Sequence, residues 1–390
     1  MQATRTHPSA TTAYNRTRCR RSLTVAIPAL LLAGCSVAAT PDSAPVADGI
    51  PGPHGAFGYV VCPTAVTPVE LASNIAEAPI PLPVRGTPPL GSFAITTSPD
   101  GHTAYVVTQT TTASGAAQNV VIPVDLVSQR AGRPIDLPGK AGTPAVVVTH
   151  DGRTVLVASG TTIIPVDPAT RAVGTPLDLG PGRTVSGMAL SPTSPTLYAL
   201  VPDGVVPVDT ANATAGPAIT TGLGVSSVTS PHGVVVSADG ATVYVVGQGG
   251  ADFGGRLVPI ATATGAVGAA TSFDRFGIAD PAAVALTADG STVLVADSAN
   301  NWIVPVPVAD MATPSDPVRL PTGGSDVAAG TEHPSDVVVG PGSTGAFVVA
   351  GLDTVLPLTS ATGTFGRPIR VCSGASSMAV TTGQGTGGAG

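Results

Sequence analysis

Seven times in this chain a short apolar run enters a proline followed by an apolar residue: Pro68-Val69, Pro123-Val124, Pro165-Val166, Pro207-Val208, Pro259-Ile260, Pro305-Val306 and Pro357-Leu358. The spacing is about 40 to 55 residues, a period found where one supersecondary unit recurs and buries its apolar face only against its neighbours. Such a period confines the chain to a β-propeller or a solenoid, and the stretch from Ala145 to Leu179 shows what the unit is. It opens with Ala145-Val146-Val147-Val148, turns at Asp151-Gly152 and continues with Thr154-Val155-Leu156-Val157. After a loop come Ile163-Ile164-Pro165-Val166-Asp167, a turn through Ala169-Thr170 to Gly174, and the alternation Pro176-Leu177-Asp178-Leu179. Four β-prone runs separated by turn residues read as a four-stranded antiparallel meander.

The other units share the template. Asp100-Gly101, Asp239-Gly240 and Asp289-Gly290 repeat the first turn, where glycine accepts a positive φ without steric cost. In the second run of each unit one large residue recurs: Tyr59, Tyr105, Leu156, Tyr198, Tyr244, Leu294 and Phe347. Such a phase-locked residue packs between sheets. Runs such as Val234-Val235-Val236 do not alternate with polar residues, which predicts strands buried on both faces, as in stacked blades.

The ends of the repeat region favour a closed ring over a solenoid. Met378-Ala379-Val380-Thr381 is a first strand with nothing after it, whereas Tyr59-Val60-Val61 is a second strand with no first one before it. Joined, they complete one blade and leave no open edge. The fold expected is therefore all-β: a seven-bladed β-propeller of four-stranded antiparallel blades over residues 57–382, closed by pairing of its N- and C-terminal segments. Cys62 and Cys372 fall on either side of this closure, so a disulfide between them is expected. A proline inside a strand removes a ladder donor, which places each recurring proline at a strand end or a bulge.

The first 21 residues hold five arginines and no acid, and Leu23 to Ala33 is apolar, ending in Leu32-Ala33-Gly34-Cys35. A basic region, a short apolar core and small residues before a cut describe an export signal over residues 1–34, too short to span a membrane. The Leu-Ala-Gly-Cys ending resembles a bacterial lipobox. The resemblance implies lipidation of Cys35 and a protein held on the outer leaflet of the cytoplasmic membrane, its domain extracytoplasmic. Residues 35–56, rich in Ala, Pro, Asp and Gly, read as a flexible tether, and residues 383–390 as a Gly-rich tail. Disulfides persist in that compartment. Without residues 1–34 the formal charge is 12 − 24 = −12, and a single lysine, Lys140, remains. That balance excludes a polyanion-binding surface and hence nucleic acid as a partner.

Every long connection falls on one face, the one carrying the second-to-third-strand and blade-to-blade loops: Thr108–Asn119, Gly247–Arg256, Ala270–Pro281 and Thr322–Pro334 are expected to be irregular there. This face collects the candidate ligand and partner residues His232, Asp274, Arg275, Asp280, Asp326, Glu332 and His333. Of these, His232, His333, Asp280 and Glu332 are candidates for acid–base chemistry near the mouth of the axial channel. A divalent cation could use the same histidines and carboxylates, or the oxygens of Asp297-Ser-Ala-Asn-Asn301, but no motif calls for a cofactor or a metal. His102 and His150 lie in tight turns of the opposite face, and Trp302 reads as blade packing. The chain holds no Gly-x-Ser-x-Gly, His-Glu-x-x-His, Gly-Lys-Ser/Thr or Cys-x-x-Cys.

The segments Pro68-Val-Glu-Leu-Ala-Ser-Asn74, Pro123-Val-Asp-Leu126 and the run from Ser98 to Val107 resemble the YVTN-type β-propeller repeat of bacterial surface-layer and exported proteins, which is related to propeller lactonases. The resemblance spans residues 57–382 and implies seven blades and an extracytoplasmic setting. It carries over no catalytic set. The function expected is a non-catalytic binding module for an envelope protein or extracellular ligand, the alternative a lactonase-like hydrolase or lyase with its site over the channel.

Overall fold

The structure is a computed structural model that describes residues 55–84, 93–112, 115–139, 141–224, 233–249, 254–279, 281–321, 333–340, 345–359 and 363–381. Cys35 and the proposed signal therefore lie outside the described residues. Seven antiparallel sheets follow one another along the chain. Blades 1 to 6 begin with first strands at Phe93, Val146, Gly187, Val234, Pro281 and Pro334. Blade 7 is assembled from both ends: Ser377–Val380 pairs with Phe57–Cys62, with Tyr59 opposite Ala379, and Ala65–Glu70 follows as third strand. Cys62 and Cys372 form the expected disulfide, Cα to Cα 6.0 Å. It ties the second strand of blade 7 to the connection that leads out of blade 6.

The second strands are buried along nearly their whole length, every residue of Phe57–Cys62 and Val155–Ser159 included. The apolar residues form seven clusters among the described residues, one for each gap between neighbouring blades. One, for instance, joins Val61 and Val66 of blade 7 to Val106 and Ile122 of blade 1. The core is thus a ring of interblade layers, which is why the strands lack alternation. Each phase-locked large residue is at most 7% exposed. Burial of Leu294, wholly enclosed, contributes about 1.5–3 kcal/mol. Burial also pushes the Tyr59 hydroxyl up to about 12, the Glu77 carboxylate adding to the effect.

The recurring prolines do not sit at strand ends. Each lies within a third strand, directly opposite the large residue of the second: Pro68 faces Tyr59, Pro123 Tyr105, Pro165 Leu156, Pro207 Tyr198, Pro259 Tyr244, Pro305 Leu294 and Pro357 Phe347. A residue in an antiparallel strand directs its N–H and C=O to the same side. Each proline carbonyl accepts a bond at 2.7–2.8 Å from a backbone N–H in the outermost segment of its blade, next to or leading into the fourth strand, at Glu77, Gly132, Gly174, Gly216, Gly268, Ser315 and Gly366. The missing donor therefore faces outward, and the ladder to the second strand is intact.

The outer strand answers with a bulge. In blade 1 Val124 pairs with Ala131, but Val121 pairs with Ile135, one residue more on the outer strand than on the inner. Blade 4 does the same, with Ile260 opposite Val267 and Leu257 opposite Thr271. The bulge expected at the proline lies on its partner strand, and the proline-and-bulge pair breaks up the outermost edge of the blade.

Candidate functional site

The two faces of the ring are built differently. On the face of the first-to-second-strand turns, blades 1, 2, 4 and 5 repeat one device. A hydroxyl two residues earlier (Ser98, Thr149, Ser237, Thr287) donates to the aspartate (Asp100, Asp151, Asp239, Asp289), which also accepts the backbone N–H two residues on. These bonds, the hydroxyl's first, hold all four carboxyls below the usual range, Asp289 at about 2. They are spent on turn geometry. The histidines of this face serve it too: a ring nitrogen of His150 lies 2.6 Å from the Ser191 carbonyl.

The opposite face carries the variable connections, but two of them are not irregular. Thr103–Thr111 and Ala117–Asp125 are paired as far as Thr111 opposite Ala117. Thr242–Gly249 and Gly254–Ala261 are paired as far as Gly249 opposite Gly254. Blades 1 and 4, three blades apart, thus raise hairpins with strands of eight or nine residues, against five or six in the same hairpins of the other blades. Their central residues are polar or small (Thr110, Gln118, Gly249), so local sequence resembles a loop while the inter-strand bonds make a ladder. The Ala270–Pro281 connection contains a 3-10 turn, Asp274–Phe276, anchored by the buried Phe273 and Ile278.

Three of the candidate residues fall within the described residues; His232, Asp280, Asp326 and Glu332 lie outside them. Each of the three is bonded to a different partner. Asp274 accepts both arms of the Arg256 guanidinium, at 2.6 and 2.9 Å, and this pairing holds its carboxyl below the usual range. Arg275 donates to the Pro314 carbonyl of blade 5 and lies over the Phe276 ring, 4.3 Å from its centroid. Exposed His333 places Nδ1 2.7 Å from the Ser298 carbonyl. A carbonyl only accepts, so Nδ1 carries the proton and a neutral ring keeps its basic lone pair at Nε2.

The Asp297–Asn301 turn is internally engaged. Asp297 is fully buried and accepts the Ala299 backbone N–H at 3.2 Å and Asn300 Nδ2 at 2.6 Å. Among the described residues, no group of three or more His, Cys, Asp or Glu side chains is placed to hold a metal.

One buried acid went unnoticed in the sequence. Asp336, fully enclosed in the first strand of blade 6, accepts the Met378 backbone N–H at 2.9 Å and so bridges to the innermost strand of blade 7. An acid within the run Ser335-Asp336-Val337-Val338 was the available signal, since the other described first strands carry none. At the seam between blades 7 and 1 lies a cavity of about 450 Å³, lined by Pro83 and Val84 on one side and by blade 1 on the other.

No protein-family model matches the chain, and no curated protein sequence matches it. Solved structures do. A chain of Kuenenia stuttgartiensis hydrazine synthase is similar at 18% identity and a TM-score of 0.59, over 76% of this chain and 91% of that one. The Pseudomonas aeruginosa periplasmic gluconolactonase PpgL is similar at 17% identity and a TM-score of 0.60, over 84% and 99%. A chain of a nidogen/laminin complex is similar at 10% identity and a TM-score of 0.52, over 85% and 100%. At such identities the likeness is one of fold, and proteins this different share it. The chain has the fold of a seven-bladed β-propeller whose structural neighbours include propeller lactonases.

Proposed function

We propose that the chain is an exported, lipid-anchored propeller that acts as a non-catalytic binding module, presenting its loop face to an envelope protein or an extracellular ligand. One observation carries the reading. The two lengthened hairpins rise on the face where connections vary, while Asp274 and Arg275 on that face are committed to bonds within the fold. Anchoring through Cys35 on the outer leaflet of the cytoplasmic membrane and assignment of the repeats to the YVTN type belong to the same proposal. They are supported by the Leu-Ala-Gly-Cys sequence and by the seven-fold register of proline against large residue.

The test is in-cell crosslinking of the lipidated protein beside a variant in which residues 111–117 are replaced by a two-residue Asn-Gly turn. A partner captured by the wild type and lost in the variant, with thermal stability kept, supports the module. The same partners from both would sink it. Cys35→Ala should move the protein out of the membrane fraction.

The alternative, a lactonase-like hydrolase or lyase over the channel, has in its favour the Nε2 lone pair of the exposed His333 ring and the lactonase among the structural neighbours. It requires lactone turnover by the purified domain that falls in His333→Ala. A lactone panel without turnover, with and without divalent ions, counts against it.

A further inference from the structure

We propose that the cavity at the seam of blades 7 and 1 binds a small zwitterion, a free α-amino acid with an apolar side chain. This inference does not depend on the loop face capturing a protein. The cavity is bounded by Val84 of blade 7 and by Thr108, Val120, Arg133, Pro134 and Asp136 of blade 1. Its volume of about 450 Å³ is that of a small-ligand site.

Its chemistry is paired. Among the described residues, the Arg133 guanidinium and the Asp136 carboxylate make no hydrogen bond or ion pair, with each other or with another side chain. An isolated cation and an isolated anion at one small cavity match the two charges of an amino acid. The ligand carboxylate suits the fork of Arg133 and its ammonium the acceptor Asp136. Val84, Val120 and Pro134 give the side chain an apolar wall. Thr108 lines the cavity, wholly buried, and its Oγ1 has no partner among the described residues, an uncommon state for an enclosed hydroxyl.

The wall is also held in place. Arg171 of blade 2 donates to the carbonyls of Arg133 and Pro134 at 2.9 and 3.0 Å. Gln118 Nε2 donates to the Leu137 carbonyl at 2.7 Å. The segment bearing both charges is therefore clamped at each end before any ligand arrives, which lowers the ordering cost of binding.

The experiment is a thermal-shift screen of the purified propeller against each proteinogenic amino acid at about 10 mM, then calorimetric titration with the best one. Its amide and its deaminated acid are titrated in parallel. At least one apolar amino acid should raise the melting temperature. Arg133→Gln and Asp136→Asn, both at exposed positions and checked for unchanged melting, should each raise Kd by about tenfold or more. Amidating the ligand should weaken binding to the wild type and cost nothing further in Arg133→Gln. Removing its amine should behave likewise towards Asp136→Asn. No shift with any amino acid, an affinity unchanged in both variants, or equal affinity for the deaminated acid would each overturn the proposal.

Discussion

The Cys62–Cys372 bond allows a quantitative test of how the ring is closed. The two cysteines are separated by 310 residues, nearly the whole propeller. In the chain-entropy model a cross-link destabilises the unfolded state in proportion to the logarithm of the loop it closes, and a loop of this size gives a ceiling of about 5–6 kcal/mol. Residual structure in the unfolded chain lowers that, so Cys62→Ala/Cys372→Ala should lose about 3–5 kcal/mol. Trp302, the single tryptophan, packs at the gap between blades 4 and 5 and reports urea unfolding by fluorescence. With a denaturant slope of about 3 kcal/mol/M, the midpoint should fall by about 1–2 M urea. Either single alanine variant should lose nearly as much as the double, because each alone breaks the bond. A midpoint shift below about 0.3 M, or two single losses that add in the double, would refute the reasoning.

Other perturbations address the backbone and the turns. Gly204 has φ +140°, and a Cβ there would collide with the Ile219 carbonyl, so Gly204→Ala should destabilise by about 2–4 kcal/mol in the same urea assay. Ala213 holds φ at 51° in a turn where blades 4 and 6 use Gly265 and Gly363; Ala213→Gly should therefore stabilise by about 0.5–1 kcal/mol, and a lower melting temperature would contradict this. The depressed carboxyl of Asp289 favours the folded state above the pKa of an unfolded aspartate, and that contribution disappears as the pH falls through about 2. Asp289→Asn should accordingly show a flatter loss of melting temperature between pH 4 and pH 2 than the wild type; parallel profiles would show that the turn bonds do not couple to stability.

Much of the architecture was written in periodic residues. The proline and large-residue registers, the Asp-Gly turns and the split blade each report a local requirement: a fixed φ, a positive φ, or a side chain wide enough to fill an interblade layer. Because the unit repeats, seven weak signals add to a strong one, and the blade count, the closure and the disulfide followed from them. The long hairpins of blades 1 and 4 did not follow, since Thr, Gln and Gly in those stretches suit a loop as well as a ladder, and the choice rests on bonds to the facing strand.

The candidate site was legible only as a face. Which of its charged residues are free is a matter of contacts between segments distant in the chain: Asp274 finds Arg256, Arg275 finds Pro314, and His333 finds Ser298. The proline puzzle shows the division most plainly. The sequence by itself determined that each blade has a proline at the same phase, because φ and the missing N–H are properties of one residue. Only the tertiary structure decided that the missing donor faces a bulged outer strand, because where an N–H points depends on which strand lies beside it.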